Sequence, residues 1–219
     1  MPLQKQIKDL KIAIFIPSYK RYEYTKMCLD ALHNAQTYTQ YGLVEFCHTE
    51  DDNPNVGLRE RTIDFFEYVN KNDFDLIAKV DNDCIVPNNW LDDMVKVFKN
   101  SDVDILAPNV MPSNAAFVNG CEDREKKGYR PSDIVGGVWV MKASLIKDIY
   151  FERVETLGLS GAITLLRQII TETEAILGWN PEVTFEDVGH WSGKHELHIK
   201  SKDHEDYSME VGRKIAWAS

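Results

Sequence analysis

Two aspartates separated by one residue follow an apolar run in the middle of the chain. The run reads LIAKV from Leu76, and Asp81, Asn82 and Asp83 come directly after it. In an extended chain, side chains two residues apart point the same way, so both carboxylates can share one ligand. Carboxylate oxygens suit Mg²⁺ or Mn²⁺, which commonly keep substrate phosphates among their other ligands. The tripeptide is therefore a candidate metal and phosphate site, although by itself it is also typical of a solvated turn or helix cap.

Polar and charged residues also follow the two earlier predicted strands. Those after the first strand are Ser18, Tyr19, Lys20 and Arg21, and those after the second are Glu50, Asp51 and Asp52. In open α/β sheets, ligands bind at the carboxyl ends of the strands. We therefore expect three strands to deliver cations and carboxylates to one edge of a sheet.

The elements that must position these residues alternate between strand-like and helix-like patterns. Apolar, β-branched runs predict strands over 12–17, 43–48, 75–80, 104–107 and 134–141, with a further strand-like stretch at 182–190. Apolar spacing of three and four predicts helices over 24–41, 58–70, 90–98, 162–177 and 203–217. Alternation of this kind predicts an α/β domain with a mostly parallel sheet. Residues 109–132 lack either pattern, and we expect a mobile functional loop there.

Composition limits the function further. The 219 residues carry 35 acidic and 25 basic side chains, a net charge of −10, so the overall field repels phosphate polymers and disfavours broad nucleic-acid binding. An anionic nucleotide would need cations placed in its own site. The four cysteines are widely spaced, which is typical of reduced thiols. Neither an apolar leader nor a membrane-length apolar run occurs, so we expect a cytoplasmic protein without a membrane span.

Three motifs occur in an order that resembles a known family. IAIFIPSYKR resembles the first strand and turn of family 2-type glycosyltransferases with the GT-A fold. Asn55, Val56 and Gly57, followed by Arg61, resemble that family's N-x-G and the arginine on its next helix. DFDLIAKVDNDCIVPNNWLDDM is similar to the family's metal-binding strand, and GGVWVMKASLI resembles its acceptor-side segment. The resemblance covers about residues 11–108 well.

The resemblance implies a single Rossmann-like GT-A domain and a transferase. Such an enzyme moves a hexosyl or pentosyl group from a nucleoside diphosphate sugar, here expected to be a UDP-sugar, to an acceptor hydroxyl with Mn²⁺ or Mg²⁺. The implied organisation is an N-terminal extension (1–10), a nucleotide-sugar-binding half (11–108), an acceptor-side half (109–202) and a C-terminal helix (203–219). The acceptor stays open among a glycan, a protein and a modified DNA base.

The resemblance also implies roles for individual residues of the donor site. The implied base and ribose pocket is formed by Pro17, Ser18, Tyr19 and Arg21. Asp51 or Asp52 would receive the base, Arg61 would support the nucleotide, and Asn82 lies between the two key aspartates. Asp81 would contact the ribose or metal-bound water, and Asp83 would bind the metal directly.

The general base of an inverting transfer is harder to assign. The family places it in a Glu-Asp pair, but the equivalent stretch of this chain offers only Glu172 and Glu174. A second acidic pair, Glu186 and Asp187, stands at a predicted strand end. We rank Asp187 first, Glu186 second and Glu174 third, with a plain turn carboxylate as the alternative for Asp187. His190 fits the late histidine that the family often supplies to the metal.

Three alternatives remain. The histidine-rich stretch from His190 to His204 suggests a zinc site, but its spacing matches no common ligand pattern. A nucleotidyltransferase would also place carboxylates and metal beside a nucleotide, but with a glycine-rich phosphate loop after the first strand, and PSYKR lacks glycine. A nucleotide-sugar-binding module without catalysis is favoured by the missing Glu-Asp pair.

Overall fold

The computed structural model describes residues 2–18, 21–35, 38–49, 57–111, 128–132, 136–153 and 160–189, with only the backbone for 160–162. Most of the predicted mobile loop, at 112–127, lies outside this part of the chain. The same holds for the predicted C-terminal helix at 203–219.

Strand and helix alternate over much of the described chain, as the sequence pattern predicts, and two short strands occur that the pattern did not predict. The strands are β1 (Lys11–Ile16), β2 (Leu43–His48), β3 (Leu76–Lys79), β4 (Cys84–Ile85), β5 (Ile105–Met111), β6 (Arg130–Pro131), β7 (Trp139–Lys142) and β8 (Leu177–Asp187). The helices are α1 (Tyr22–Asn34), α2 (Leu58–Asn72), α3 (Trp90–Asn100) and α4 (Ser160–Thr173). Short 3-10 turns occur at Ile7–Asp9, Tyr38–Gln40 and Ala143–Ile146.

These strands form one sheet with the order β2-β1-β3-β7-β5-β8-β4, and β6 lies beside β8. β1 pairs in parallel with β2 and β3, and β5 pairs in parallel with β8. β7 is antiparallel to both of its neighbours. β1, β2, β3, β5 and β8 therefore run in one direction and end at a common carboxyl edge. The predicted α/β class with a mostly parallel sheet is confirmed, and the reversed β7 requires no crossover helix after β5.

Both faces of the sheet are covered by helices. On β1, Ile12, Ile14 and Ile16 pack against α1 and α3, whereas Ala13 and Phe15 pack against α2 and α4. This division follows from the two-residue period of a strand. The continuous apolar run of β1 is thus explained, because a strand buried on both faces needs apolar residues at every position.

One boundary differs from the expectation in a way that matters for the site. The helix expected over 162–177 ends at Thr173, because Glu174 adopts a left-handed backbone conformation with φ 51°. The chain then enters β8 at Leu177 and stays in this strand for eleven residues. The strand-like stretch at 182–190 is therefore the second half of one long strand. Apolar residues around 175–177 fit a buried helix end and a buried strand start equally, so periodicity alone could not separate them.

Candidate functional site

The Asp81-Asn82-Asp83 segment forms a tight turn at the carboxyl edge of the sheet. The N–H of Val80 still bonds to the Phe15 carbonyl at 2.9 Å, as a continuation of β3 beside β1. The carbonyl of Asp81 then accepts a hydrogen bond from the N–H of Cys84 at 3.0 Å, which closes the turn into β4. The extended geometry expected for this tripeptide is therefore wrong, and its two carboxylates have different partners.

Asp83 is paired with Arg21. The Oδ2 atom of Asp83 lies 2.9 Å from Nη1 of Arg21, and the two side chains are only 16% and 11% exposed. The same Nη1 lies 3.5 Å from Oδ1 of Asn82, a weaker contact. The guanidinium also stacks over the Tyr24 ring, with Cζ 4.6 Å from the ring centre. The carboxylate predicted to bind metal is thus held by a cationic side chain.

Asp81 is paired with Lys79, a lysine at the end of an otherwise apolar strand. The Lys79 ammonium donates to Asp81 Oδ1, and it also donates to the Gly137 carbonyl at 2.7 Å. The Lys79 side chain is 4% exposed, whereas that of Asp81 is 38% exposed. A Cβ at position 137 would lie 2.8 Å from Asp81 Oδ2, so a side chain there would displace this carboxylate oxygen.

Sequence reasoning missed both Lys79 and Gly137 as parts of the site. The signals were present: a lysine within an apolar strand directly before an acidic turn, and a glycine pair before the next strand. Neither signal indicates that the two residues are in contact, because Lys79 and Gly137 meet only through the antiparallel pairing of β3 with β7.

A hydroxyl and amide network anchors the turn to the rest of the edge. Ser18 Oγ lies 2.8 Å from Thr25 Oγ1, which accepts a hydrogen bond from the Asn82 amide at 2.9 Å. Thr49 Oγ1 accepts from the Ser18 N–H and donates to the Ser18 carbonyl. Ser18 and Asn82 thereby join the ends of β1 and β3 to α1. A direct contact of either with a nucleotide stays a prediction.

The end of β8 brings the leading base candidate to this turn. Asp187 lies opposite Cys84 in the β4–β8 pairing, and the Val188 N–H bonds to the Asp83 carbonyl at 2.9 Å. The Asp187 carboxylate accepts a hydrogen bond from the Gly189 N–H at 3.1 Å. A carboxylate 104 positions along the chain from Asp83 is therefore placed beside the acidic turn.

The other two base candidates occupy different places. Glu186 faces Ile85 in the same pairing and is exposed, one position from Asp187 and hence on the opposite face of β8. Glu174 precedes β8, at the amino edge of the sheet. β8 has a register shift between Asn180 and Thr184, and its partner β5 crosses the sheet in seven residues, so at a rise of about 3.3 Å per residue the two edges lie roughly 20 Å apart. The third-ranked candidate, Glu174, is therefore removed from the site by the direction of β8.

Gly189 covers the Arg21–Asp83 ion pair. It is buried, and a Cβ built on it would overlap both Asp83 Oδ2 and Arg21 Nη2. The backbone at this position lies so close to the pair that no side chain fits without displacing one of the two charges. Gly189 is a second glycine of the site that sequence reasoning did not single out.

We expect Gly189→Ala to destabilise the protein, because the added methyl group must displace part of the ion pair. Overpacking of this kind costs about 1–3 kcal/mol, which corresponds to a melting temperature lower by roughly 2–10 °C. Thermal unfolding measures the effect. A double-mutant cycle with Arg21→Ala tests its cause: the variant lacks Nη2, which a Cβ at position 189 would overlap, so the two effects should be less than additive. Strict additivity would contradict the proposed contact.

Of the remaining residues predicted to bind the donor or the metal, some lie within the described part of the chain and the others lie outside it. Pro17 follows β1 at the carboxyl edge, and Arg61 lies in the first turn of α2, 3.8 Å from Asp64. Gly57, with φ 87°, precedes this helix in a conformation that favours glycine. The other members of the predicted site lie outside the described residues: Tyr19, Asp51, Asp52 and His190.

Two thiols lie beneath the turn and are held in their neutral form. Burial raises the pKa of Cys28 to about 12, and the nearby Asp83 and Asp81 act in the same direction. Burial also raises the pKa of Cys84 well above its usual value. The Cys28 thiol donates to the Asp81 carbonyl at 3.5 Å. Since the thiolate is the reactive form, these cysteines serve as packing groups rather than nucleophiles.

The residue types at this corner fit the predicted metal. Asp81, Asp83 and Asp187 stand at or beside one turn, and carboxylate oxygens are the ligands that Mg²⁺ or Mn²⁺ prefers. Within the described ranges, no group of three histidine, cysteine, aspartate or glutamate side chains is already gathered for a metal. Asp81 and Asp83 are instead paired with Lys79 and Arg21. A metal would therefore have to exchange with a cationic side chain.

The described sheet, with its mostly parallel strands and helices on both faces, has the GT-A fold. The fold matches two crystal structures of S. aureus TarS, a glycosyltransferase of this type. For TarS 1–349, the TM-score is 0.56 at 10% identity, over 94% of this chain and 73% of that one. For the second TarS structure, the TM-score is 0.57 at 11% identity, over 90% of this chain and 43% of that one.

In sequence, no protein-family model matches the chain, and no curated protein matches it either. None of the helices in the described ranges has the length and apolar character needed to cross a membrane.

Proposed function

We propose that this chain is a metal-dependent glycosyltransferase that moves a sugar from a UDP-sugar to an acceptor hydroxyl. The observation that carries the proposal is the pairing of β4 with β8. This pairing places Asp187 beside the turn that holds Asp81 and Asp83. Donor binding needs the carboxylates of the turn, and proton removal needs a carboxylate close by, so both requirements converge on one corner of a GT-A fold.

The proposed metal ligands are Asp83, Asp81 and His190, with Mn²⁺ or Mg²⁺ as the ion. When bound, the metal offsets the charge that develops on the departing diphosphate. Asp81 is the more accessible carboxylate of the two, and its second oxygen faces the space left by the missing side chain of Gly137. Lys79 holds the other Asp81 oxygen in place from below. The chain's contribution to donor binding is thus a carboxylate of fixed orientation.

Asp187 is the proposed base. Its place at the carboxyl end of β8 brings it to the sheet edge where the acceptor must approach the donor. The Gly189 N–H donates a hydrogen bond to Asp187 Oδ1 and so orients the carboxylate. In an inverting transfer, this carboxylate takes the proton of the acceptor hydroxyl as that hydroxyl attacks the sugar and the diphosphate leaves.

The proposed acceptor is a glycan or a protein, and a modified DNA base is the less favoured alternative. With a net charge of −10, the chain repels polyanions, so a DNA acceptor would need a local basic surface. The cytoplasmic location stays a prediction.

Nucleotide binding provides the direct test. We expect UDP together with Mn²⁺ to raise the melting temperature, and ADP, CDP and GDP to have little effect. At about 100 times its Kd, a ligand adds about 2.7 kcal/mol, which amounts to roughly 5–10 °C for a chain of this size. No shift with any nucleotide would overturn the proposal, and an equal shift after metal removal would overturn its metal dependence.

Product analysis separates the two rival functions. UDP release from a UDP-sugar, with the sugar transferred to an acceptor or to water, is expected of a glycosyltransferase. A binding module without catalysis would bind UDP-sugar and release nothing. A nucleotidyltransferase would instead release pyrophosphate from a nucleoside triphosphate.

A further inference from the structure

Arg21 is incompletely satisfied in its observed position. Its Nη1 contacts Asp83 and Asn82, but Nε and Nη2, which carry most of the guanidinium donors, are buried without a hydrogen-bond partner in the described part of the chain. Tyr24 lies beside the guanidinium. Burial raises the pKa of the Tyr24 phenol, and the nearby Arg21 partly opposes this rise. Buried donors that lack partners destabilise the state that contains them. An anion that accepted hydrogen bonds from Nε and Nη2 would therefore stabilise this arrangement of the described residues.

The position of Arg21 suits an anion with several oxygens. Arg21 immediately precedes α1, a helix of thirteen residues whose first turn lies at the carboxyl edge. Backbone N–H groups and the helix dipole favour negative charge there. The planar guanidinium matches two phosphate oxygens at once. The Tyr24 ring packs against the face of the guanidinium, with Cζ 4.6 Å from the ring centre, so an anion would have to be bound through the edge of the group.

We propose that Arg21 is an exchangeable counter-ion of Asp83. In the ligand-free protein, its guanidinium neutralises this carboxylate. When a divalent cation takes Asp83, the guanidinium turns to the diphosphate of the donor. The inference rests on the proposed function, and it assigns Arg21 to the diphosphate rather than to the base and ribose pocket that the family resemblance implies.

Charge balance supports the exchange. In the described corner, Arg21 offsets Asp83, and Lys79 offsets Asp81. A divalent cation and the diphosphate of a nucleotide sugar carry equal and opposite charges, so their joint arrival preserves this balance. A cation arriving alone would leave the Arg21 guanidinium without its only described carboxylate partner. Metal and donor should therefore bind cooperatively, each raising the affinity of the other by the same factor.

The test measures Mn²⁺ binding in the absence of nucleotide, from the electron paramagnetic resonance signal of free Mn²⁺. We expect Arg21→Gln to bind Mn²⁺ about 10-fold more tightly than the unmodified protein, because the competing cation is gone. At saturating Mn²⁺, calorimetry should show UDP binding about 10-fold more weakly, because the diphosphate has lost its partner. If Arg21 had a purely structural role, its replacement would weaken the binding of both Mn²⁺ and UDP. Tighter Mn²⁺ binding together with weaker UDP binding therefore identifies the exchange.

Two further variants make the result decisive. Lys26→Gln removes a cation from the same helix, where the side chain is 76% exposed and pairs only with Asp30 in the described contacts, and it should change neither affinity. Arg21→Lys keeps the competing charge but loses the planar fork, so Mn²⁺ affinity should stay low while UDP affinity falls. If Arg21→Gln does not fold, the Arg21→Lys pattern decides.

Unchanged or weaker Mn²⁺ binding in folded Arg21→Gln would overturn the exchange, as would normal UDP binding in Arg21→Lys. Failure of the proposed function has a different signature. In that case Asp83→Asn would bind Mn²⁺ and UDP as the unmodified protein does, whatever the Arg21 variants show.

Discussion

Asp83→Asn is expected to abolish Mn²⁺-dependent UDP binding, with an affinity loss of at least about 100-fold. The substitution removes the charge that a divalent cation needs and keeps nearly the same shape. The amide oxygen can still accept a hydrogen bond from Arg21. The turn itself is held by backbone contacts, from Cys84 to Asp81 and from Val188 to Asp83, so the fold should survive.

Calorimetry with UDP and Mn²⁺ measures the loss, and circular dichroism verifies the fold. Asp30→Asn is the matched control, because Asp30 is an exposed carboxylate on α1 whose described partner is Lys26. This control should bind UDP normally. Undiminished affinity in folded Asp83→Asn would remove the proposed metal ligand and with it the central part of the functional proposal.

Asp187→Asn is expected to lower turnover about 100- to 10,000-fold while UDP-sugar affinity changes little. The amide cannot accept the proton of the acceptor hydroxyl, but its oxygen can still accept the hydrogen bond from the Gly189 N–H. The local backbone should therefore be retained. Steady-state turnover and donor affinity, measured on the same preparation, separate loss of the base from loss of the site.

The other acidic candidates serve as controls for this result. Glu186→Gln alters the neighbouring exposed carboxylate, and Glu174→Gln alters one at the opposite edge of the sheet. Both should retain turnover. A normal rate in Asp187→Asn would overturn its assignment, and a loss confined to Glu186→Gln would move the base to Glu186. If no acidic variant mattered, a transfer with retained configuration and no enzymic base would replace the inverting one.

Local patterns predicted most of the strands and helices, because the residues that each element buries are apolar and recur at its structural period. β1 is apolar at nearly every position and is buried on both faces. β2 spans the predicted residues, and α2 and α3 begin where their apolar spacing begins. The candidate residues Arg21, Asp83 and Asp187 were also visible, since each stands where a strand ends or a helix starts. These are properties of neighbouring residues, which a sequence displays directly.

Contacts between distant segments were not predictable in the same way. Whether Glu174 or Asp187 reaches the site depends on where α4 ends and on the direction of β8, and both depend on the pairing of β8 with β5. Lys79 finds Gly137 only because β7 runs antiparallel to β3. An apolar run indicates that a segment is a buried strand. It does not indicate which other strand pairs with it, because any of several apolar strands could bury it equally well.

The sequence alone therefore determined the α/β class, the edge at which polar residues gather and the acidic turn as the candidate site, because each depends on local periodicity and residue type. The tertiary structure decided which charges meet. Arg21 and Asp83 are 62 positions apart, and the covering Gly189 is another 106 positions further on. Their contact results from the side-by-side packing of β1, β3 and β8 in one sheet order, which no short stretch of sequence encodes.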